Sequence, residues 1–362
     1  MSVDYTSAGV NIEAGNLAVE KIKDLAASTF TPQVLTGLGS FGAFYDLGEV
    51  LRDYKHPVLV QSIDGVGTKI ITAGLAGKYD SIGRDLLSAC ANDIVVHGAK
   101  PLTFLDYIAN DTLDPDIVAE IVSGMAAGCR EEGISLIGGE TAEMPGTYLP
   151  GEHDLVGIVT GVVEKDAIIN GSDVEPGDVI LAAASSGLHT NGFSLARKVL
   201  FEIAGLTVAD ILPGSAEDGN PQTVGSILLE PHINYTSSVH ALLKSGITVK
   251  NMAHITGGGL IENVPRVMPK TTNAVFNPES WPVPRIFTAI EELGNIDQWE
   301  MYRAFNMGIG LTVTVPADEK EIALSAMREA FNSPVFEIGL VTEGTGKTIL
   351  TGISRTSEGA DK

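Results

Sequence analysis

DSIGRDLLSACANDIVVHGAKPLTFLDYIA, residues 80–109, is the stretch in which the fold becomes readable. Ile82, Leu86, Cys90 and Ile94 recur at four-residue steps, the apolar stripe of a helix packed on a core, and predict a helix from Asp80 to Gly98. PLTFLDYIA (101–109) then predicts a strand. Upstream, PVLVQSI (57–63) reads as another strand and Asn16 to Ala27 as an amphipathic helix. Downstream, Ile117, Ile121, Met125 and Cys129 predict a helix over Pro115–Gly133, and ISLIGG (134–139) and DLVGIVTGVVE (154–164) predict strands. The polar, turn-rich KDAIINGSD (165–173) closes this half. VEPGDVILAAASS (174–186) restarts the cycle: a strand at 178–184, helices at 192–204 and 234–245, a strand at 247–254, a helix at 259–267, helices near 285–304, a strand at 308–315, a helix at 318–331, and strands at 335–342 and 347–353. The expectation is an α/β (α+β) protein with an N-terminal domain over 1–168 and a C-terminal α/β domain over 169–362.

A length of 362 residues suits two domains at ~150 residues each. The 23 Lys and Arg against 46 Asp and Glu give a net charge of −23. Nucleic acid and anionic membrane both want a basic patch, so neither is an expected partner. An anionic substrate would need a local cation or metal to overcome the field of the protein itself. A salty habitat would also explain the acidity. Cys90 and Cys129 each lie among apolar residues of a helical pattern, which argues against a disulfide framework and a cysteine-based zinc site. No apolar run approaches ~18 residues, and the stretch MSVDYTSAGVNIEAG (1–15) is too polar for a secretory signal. Cytoplasmic residence is expected, and the sequons at Asn110, Asn170 and Asn234 then carry no glycan.

The 41 glycines are about 11% of the chain against a usual ~7%, and some of their clusters mislead. GLGSFG (37–42) matches a dinucleotide fingerprint, but Pro32 breaks the segment that would have to be its buried strand, so a glycine loop is the better reading. GTGKT (344–348) has Val341 where a phosphate loop needs glycine, and between two strand-like runs EGTG predicts a hairpin turn.

Other clusters carry chemistry. DGVGTK (64–69) directly follows the strand 57–63, so Asp64 stands at a strand's C-terminal end, where α/β folds place ligands. Gly65 and Gly67 let backbone N–H groups approach an anion, Thr68 adds a hydroxyl and Lys69 a positive charge. Asp64 is tolerable beside a polyphosphate only with Mg²⁺ between them; otherwise this is a tight turn with solvated side chains. On the helix 80–98, Asp85 and Asn92 share a face and Asp93 lies about 100° round from Asn92. Asn92 and Asp93 are either contributors to a metal site or part of a solvated face. IGGETAEMPG (137–146) again places a carboxylate, Glu140, after a strand. In SSGLHTNGFSLAR (185–197), a glycine-flanked helix start makes an anion site, and His189 is the chain's best general acid/base. HITGGG (254–259) opens another helix with three glycines; His254 is either functional or a strand-end histidine bonded to backbone. His153 and His232 have no such setting.

GVNIEAGN (9–16), DGVGTK, ACANDIVVHGAKPLTFLDY (89–107), GGETAEMPG (138–146), GLHTNGFSLARK (187–198), AHITGGGLIENVPRV (253–267) and MYRAFNMGIG (301–310) closely resemble the phosphoribosylformylglycinamidine cyclo-ligase family, the aminoimidazole ribonucleotide synthetases. The resemblance runs over roughly residues 4–345 in the family's order and spacing, with Asn11 where the family usually has Asp. It implies an ATP- and Mg²⁺-dependent ring closure of a phosphorylated small molecule in purine biosynthesis. It also implies a homodimer whose N-terminal mixed sheets close into a shared barrel. Motif by motif, it implies that Asp64, Asp93 and Glu140 hold Mg²⁺, and that Lys69, the Gly65 and Gly67 amides and Thr68 meet ATP phosphates. The resemblance also implies that Lys23 folds over the nucleotide and that Asn92, Gly138, Gly139 and Thr141 complete its site. His189 serves as acid/base, with Asp93 and Lys69 in the catalytic set. Asn191, Gly257, Gly258 and Gly259 join His189 in seating the substrate's ribose phosphate. A sibling ATP-dependent enzyme such as a thiamine-monophosphate kinase, or a non-catalytic nucleotide-binding subunit, is the alternative.

Overall fold

A computed structural model describes residues 9–354 except 218 and 220. Residues 1–8, which carry part of the polar N-terminal stretch and the first residues of the resemblance, lie outside the described residues. The chain forms two compact units. One runs to Val95 and resumes from Ala99 to Ala167; the other takes Val96–Gly98 and everything from Ile168. The short excursion is held by His97, whose Nδ1 lies 3.0 Å from the Ile169 carbonyl.

The first unit contains α1 (Ile12–Ala27), β1 (Pro57–Gly65), α2 (Lys69–Ala76), α3 (Asp80–Val95), β2 (Lys100–Asn110), α4 (Pro115–Glu132), β3 (Ser135–Glu143) and β4 (His153–Glu164). Its mixed sheet has the order β1-β4-β2-β3, with β4 antiparallel to both neighbours and β2 parallel to β3. Local chemistry sets the helix ends. The Asp114 side chain accepts from the Asp116 N–H at 2.8 Å, Pro115 fills the first turn where its missing donor costs nothing, and Gly133 at φ +67° terminates α4. α3 and α4 approach until their backbones nearly touch. A Cβ on Gly83 would stand 1.9 Å from the Ile121 carbonyl oxygen, and one on Gly124 would stand 2.1 Å from that of Asp80. Along β1, residues alternate between helix-facing and open. Leu59 and Ile63 on the open face are 60% and 65% exposed.

The second unit contains β5 (Val179–Ala184), α5 (Phe193–Arg197), α6 (Val224–Leu228), α7 (Thr236–Lys244), β6 (Asn251–His254), α8 (Gly259–Arg266), β7 (Thr272–Phe276), α9 (Arg285–Gly294), α10 (Gln298–Ala304), β8 (Ile309–Val315), α11 (Lys320–Ala330), β9 (Val335–Glu343) and β10 (Thr348–Leu350). The sheet order is β10-β7-β9-β5-β8-β6. β8 is buried at every residue, Thr312 and Thr314 included, so the alternation of apolar residues with threonine in IGLTVTV does not mark a solvent-facing side. Ile180 and Ala182 of β5 face a core with Phe276, Phe287 and Phe305.

Several expectations change. EGTG is not a hairpin turn: β9 and β10 do not pair, because β7 lies between them, antiparallel to β9 and parallel to β10. The loop instead wraps the start of β7, with Thr345 and Lys347 N–H groups donating to Asn273 Oδ1 at 2.9 and 3.0 Å. The strand at 247–254 begins only at Asn251, because Thr248 is drawn off to Glu319, which accepts its N–H and hydroxyl at 2.7 Å. The helix read at 192–204 is α-helical to Arg197 and then widens to a π-helix over Lys198–Ile203. GLGSFG lies in turns and bends with no strand leading into it.

Gly83→Ala should lower stability by about 1–3 kcal/mol, since the added methyl meets backbone that cannot yield. Gly15→Ala in α1, where nothing lies within 4 Å of the new Cβ, should raise it by up to ~1 kcal/mol. Urea midpoints of the two variants check the contrast; equal shifts would remove the backbone contact as a constraint.

Candidate active site

In the first unit, β1 carries Ser62 and Asp64 on one face, against α3. Ser62 Oγ donates to Asp93 Oδ2 at 3.0 Å, and the Gly65 N–H donates to Asp64 Oδ1 at 2.7 Å. Strand end and helix thus present two carboxylates around Cys90. Burial pushes the Cys90 thiol well above its ordinary value, with the charges of Asp64 and Asp93 adding to it, so it is a packing group and not a nucleophile. Gly67 at φ +53° turns the chain into Thr68 and the start of α2. Asn92 is fully buried, not on a solvated face.

Lys69 departs from its sequence reading. It does not point out of the glycine turn; it is fully buried, with Nζ 2.7 Å from Oδ2 of the equally buried Asp85. Its charge is spent inside the protein, tying α2 to α3. Glu140 also departs. Asp64 pairs with Gly157, Gly157 with Asp106, and Asp106 with Gly139. Glu140 therefore stands at the opposite sheet edge from Asp64, about 14 Å away at ~4.8 Å per strand. Among the described residues, no acidic trio brings its oxygens within 4.8 Å of one another, so Asp64, Asp93 and Glu140 do not form one cage within a chain. Asp64 and Asp93 alone still fit Mg²⁺, a hard cation usually held by one or two carboxylates plus phosphate oxygens and water.

The remaining first-unit residues surround the β3 edge. Gly139 and Glu140 are exposed, while Gly138 and Thr141 are half-buried. Lys23 is exposed on α1. Asn11 caps α1, its side chain accepting from the Ala14 N–H at 3.1 Å. Glu143 accepts from the N–H groups of Asn11 and Leu113, which makes it a brace. Sequence reasoning passed over Asp106, whose oxygen would lie 2.4 Å from a Cβ on Gly139. Burial pushes its carboxyl up to about 7. An acid at a core-facing position between Phe104 and Ile108 was the available signal.

In the second unit, β5 runs into the loop 185–191. His189 sits at φ +60°, a left-handed conformation rare outside glycine, and its Nε2 accepts from the Ser186 N–H at 3.2 Å. Asn306, also unremarked in the sequence, fixes this loop. Its amide donates to the Gly187 carbonyl at 2.8 Å, and its Oδ1 accepts from Ser185 Oγ at 3.1 Å. His232, set aside in the sequence, is stacked on His189 with centroids 3.9 Å apart, and its Nε2 lies 3.0 Å from that of His254. His254 thus meets another imidazole. No local pattern could reveal this, because the fold alone joins the three segments. The TGGG loop is braced by Asn263, which accepts from the Thr256 N–H at 2.8 Å and donates to the Gly257 carbonyl at 3.1 Å. Asn191 Oδ1 would stand 3.4 Å from a Cβ on Gly257, so these two predicted residues do meet. Gly258 precedes α8, and a Cβ on Gly259 would strike the Tyr302 carbonyl at 2.0 Å.

Residues 45–163 match the N-terminal domain, and residues 175–351 the C-terminal domain, of AIR synthase related proteins. The phosphoribosylformylglycinamidine cyclo-ligase of Trichlorobacter lovleyi is 52% identical over 89% of this chain and 90% of its own length. The chain belongs to the phosphoribosylformylglycinamidine cyclo-ligase family. Another cyclo-ligase, from Caldanaerobacter subterraneus subsp. tengcongensis, is 46% identical over 96% of this chain and 99% of its own. The same fold is seen in the hydrogenase maturation protein HypE solved in complex with ATP, at a TM-score of 0.65 and 18% identity, covering 93% of this chain and 91% of that one. For a cyclo-ligase family member, the mixed sheet and the αβ unit above are the expected pair of domains.

Lys69→Met leaves Asp85 as a buried, unneutralised charge and should cost about 3–5 kcal/mol of stability. Denaturant melts check this; an unchanged midpoint with weakened ATP binding would return Lys69 to the phosphates.

Proposed function

We infer that this chain closes the imidazole ring of 5-aminoimidazole ribonucleotide from formylglycinamidine ribonucleotide, converting ATP to ADP and phosphate in de novo purine biosynthesis. The carrying observation is 52% identity to a cyclo-ligase across 90% of that protein's length, with the DGVGT turn and the TGGG loop both intact. A formamide oxygen is a poor leaving group. Phosphorylating it gives an iminophosphate, from which phosphate departs when the neighbouring nitrogen attacks. Holding the γ-phosphoryl group of ATP against that oxygen makes a bimolecular step effectively unimolecular, which can supply roughly 7–11 kcal/mol; the ring closure itself joins two ends of one molecule.

The residues divide that work. The backbone N–H of Gly67, with Thr68 at the start of α2, receives the triphosphate; the Gly65 N–H, expected from the sequence to join it, is taken by Asp64 Oδ1. Asp64 and Asp93 hold the magnesium ion, which when bound neutralises phosphate charge. Asn92, Gly138, Gly139, Glu140, Thr141 and Lys23 complete the nucleotide's surroundings. Lys69 acts through Asp85 by fixing the turn. In the second unit, the Gly257–Gly259 amides and Asn191 seat the ribose phosphate. His189, whose Nε2 accepts from the Ser186 N–H, keeps the proton of its neutral ring on Nδ1, from which it serves the reacting amide.

A homodimer is part of the same reading. Helices cover one face of the first-unit sheet, while Leu59 and Ile63 lie open on the other, an apolar face that a second copy would bury by closing two four-stranded sheets into a barrel. Cytoplasmic residence also belongs to this reading. Both cysteines are free, and no helix among the described residues is long and apolar enough to cross a membrane.

The direct test is ADP release on mixing with ATP, Mg²⁺ and formylglycinamidine ribonucleotide, against thiamine monophosphate as the competing substrate. Preference for the latter would sink the assignment. His189→Ala should abolish turnover with ATP binding retained; undiminished turnover would remove it from the chemistry. Ile63→Glu should convert the dimer to monomers in sedimentation, and a monomeric parent would end the barrel proposal.

A further inference from the structure

The histidine cluster of the second unit has a chemistry that phosphate binding does not use. His189, His232 and His254 are only 1%, 3% and 6% exposed. One ring nitrogen from each lies within 4.8 Å of the other two, the only such trio of acidic, cysteine or histidine ligands among the described residues. The His232 and His254 Nε2 atoms are 3.0 Å apart, so one must donate a proton and the other accept it. His232 Nδ1 lies 3.4 Å from Thr190 Oγ1. In the tautomer with hydrogen on Nδ1, where the Thr190 hydroxyl accepts, the Nε2 lone pair faces His254.

We propose that His189, His232 and His254 form a binding site for a borderline-soft divalent transition cation of the Zn²⁺ class. Zinc–imidazole bonds of ~2.0–2.1 Å in a tetrahedral shell hold neighbouring nitrogens about 3.3 Å apart. The Nε2 pair is within a few tenths of an ångström of that spacing; His189 joins by leaving its stack on His232 and giving up the bond from the Ser186 N–H, which frees its Nε2 lone pair while its proton stays on Nδ1. The cation takes the place of the proton now shared by the Nε2 pair, and that proton moves to Nδ1 of His254. Thr190 supplies the outer bond that metal-bound imidazoles characteristically keep. Three nitrogens without a carboxylate select Zn²⁺ or Co²⁺ and reject Mg²⁺, so the site is chemically distinct from the one proposed for nucleotide. A filled site would draw the His189 ring away from the reacting amide; that consequence rests on the role proposed for His189, whereas the site itself does not.

The test is a titration of the full chain, stripped with chelator and dialysed, with Zn²⁺ by calorimetry and with Co²⁺ by visible absorption. The expected result is one ion per chain, an intense tetrahedral Co²⁺ spectrum, and no displacement by excess Mg²⁺. Outer-shell changes alone typically cost ~10–100-fold in affinity, so loss of a ligand in His232→Thr or His254→Gln should weaken binding by about 100-fold or more. The exposed His56→Gln should leave it unchanged. Circular dichroism establishes that each variant folds, and His232→Thr stands alone if His254→Gln does not. The weak spectrum of an octahedral hydrated ion, or parental affinity in a folded His232→Thr, overturns the proposal.

Discussion

The buried ion pair between Lys69 and Asp85 is the constraint from which the first unit's functional geometry follows. Both side chains are wholly excluded from water, 2.7 Å apart. Removing two charges from solvent costs several kcal/mol per ion, so such a pair is a poor source of net stability. What it fixes is position. Lys69 is the first residue of α2 and Asp85 lies in the second turn of α3, so the turn joining β1 to α2 has both ends anchored. Asn92, two turns beyond Asp85 on the same face, is held at the same depth, and Asp93 is brought to the Ser62 hydroxyl. The site proposed to hold a triphosphate on backbone N–H groups has little tolerance for a loose turn, and this pair removes the looseness.

The second unit constrains its loops by different means. His189 keeps a backbone conformation that costs of order 1–3 kcal/mol outside glycine, and the hydrogen bonds of Asn306 and Ser186 hold it there. The TGGG loop is held by Asn263 on the helix it opens. One loop therefore owes its shape to a buried amide from far along the chain, and the other to a buried amide on the helix that it opens. Strain at His189, backed by a network on both sides, marks a residue held for its position.

These facts also explain what the sequence could disclose. Four-residue apolar steps located α3 and α4 to within a few residues, because one face of each helix packs on the sheet and period survives in composition. Strand identity was readable, but strand order was not. Nothing in VFEIGLVTEGTGKTIL shows that TNAVF, from sixty residues earlier, lies between its two strands. Asp64 was legible because a carboxylate after an apolar run breaks a pattern. The internal use of Lys69 was not, since glycine, threonine and lysine in series look alike whether the lysine faces a phosphate or an aspartate sixteen residues on. Asn11 was read as a departure from the family and turns out to cap α1, a task that Asn and Asp perform equally well. His232 was invisible for the plainest reason, that its neighbours are distant in sequence.

The placement of Lys69 changes the electrostatics of the proposed nucleotide site. The chain carries −23, and the one cation of the DGVGTK turn is already neutralised by Asp85. Of the residues assigned to the nucleotide, only Lys23 on α1 retains a positive charge exposed to solvent. Backbone N–H groups supply fractional charge, about half a unit per helix N-terminus, which cannot balance a triphosphate beside Asp64 and Asp93. The metal must then do more than orient the phosphates: without it, two carboxylates face three phosphoryl groups across a partly desolvated turn, where effective dielectric is low and repulsion strong. In the proposed site, nucleotide and magnesium should therefore enter as one ligand, each nearly unable to bind alone, with the acidic pair discriminating a magnesium-loaded nucleotide from a bare one.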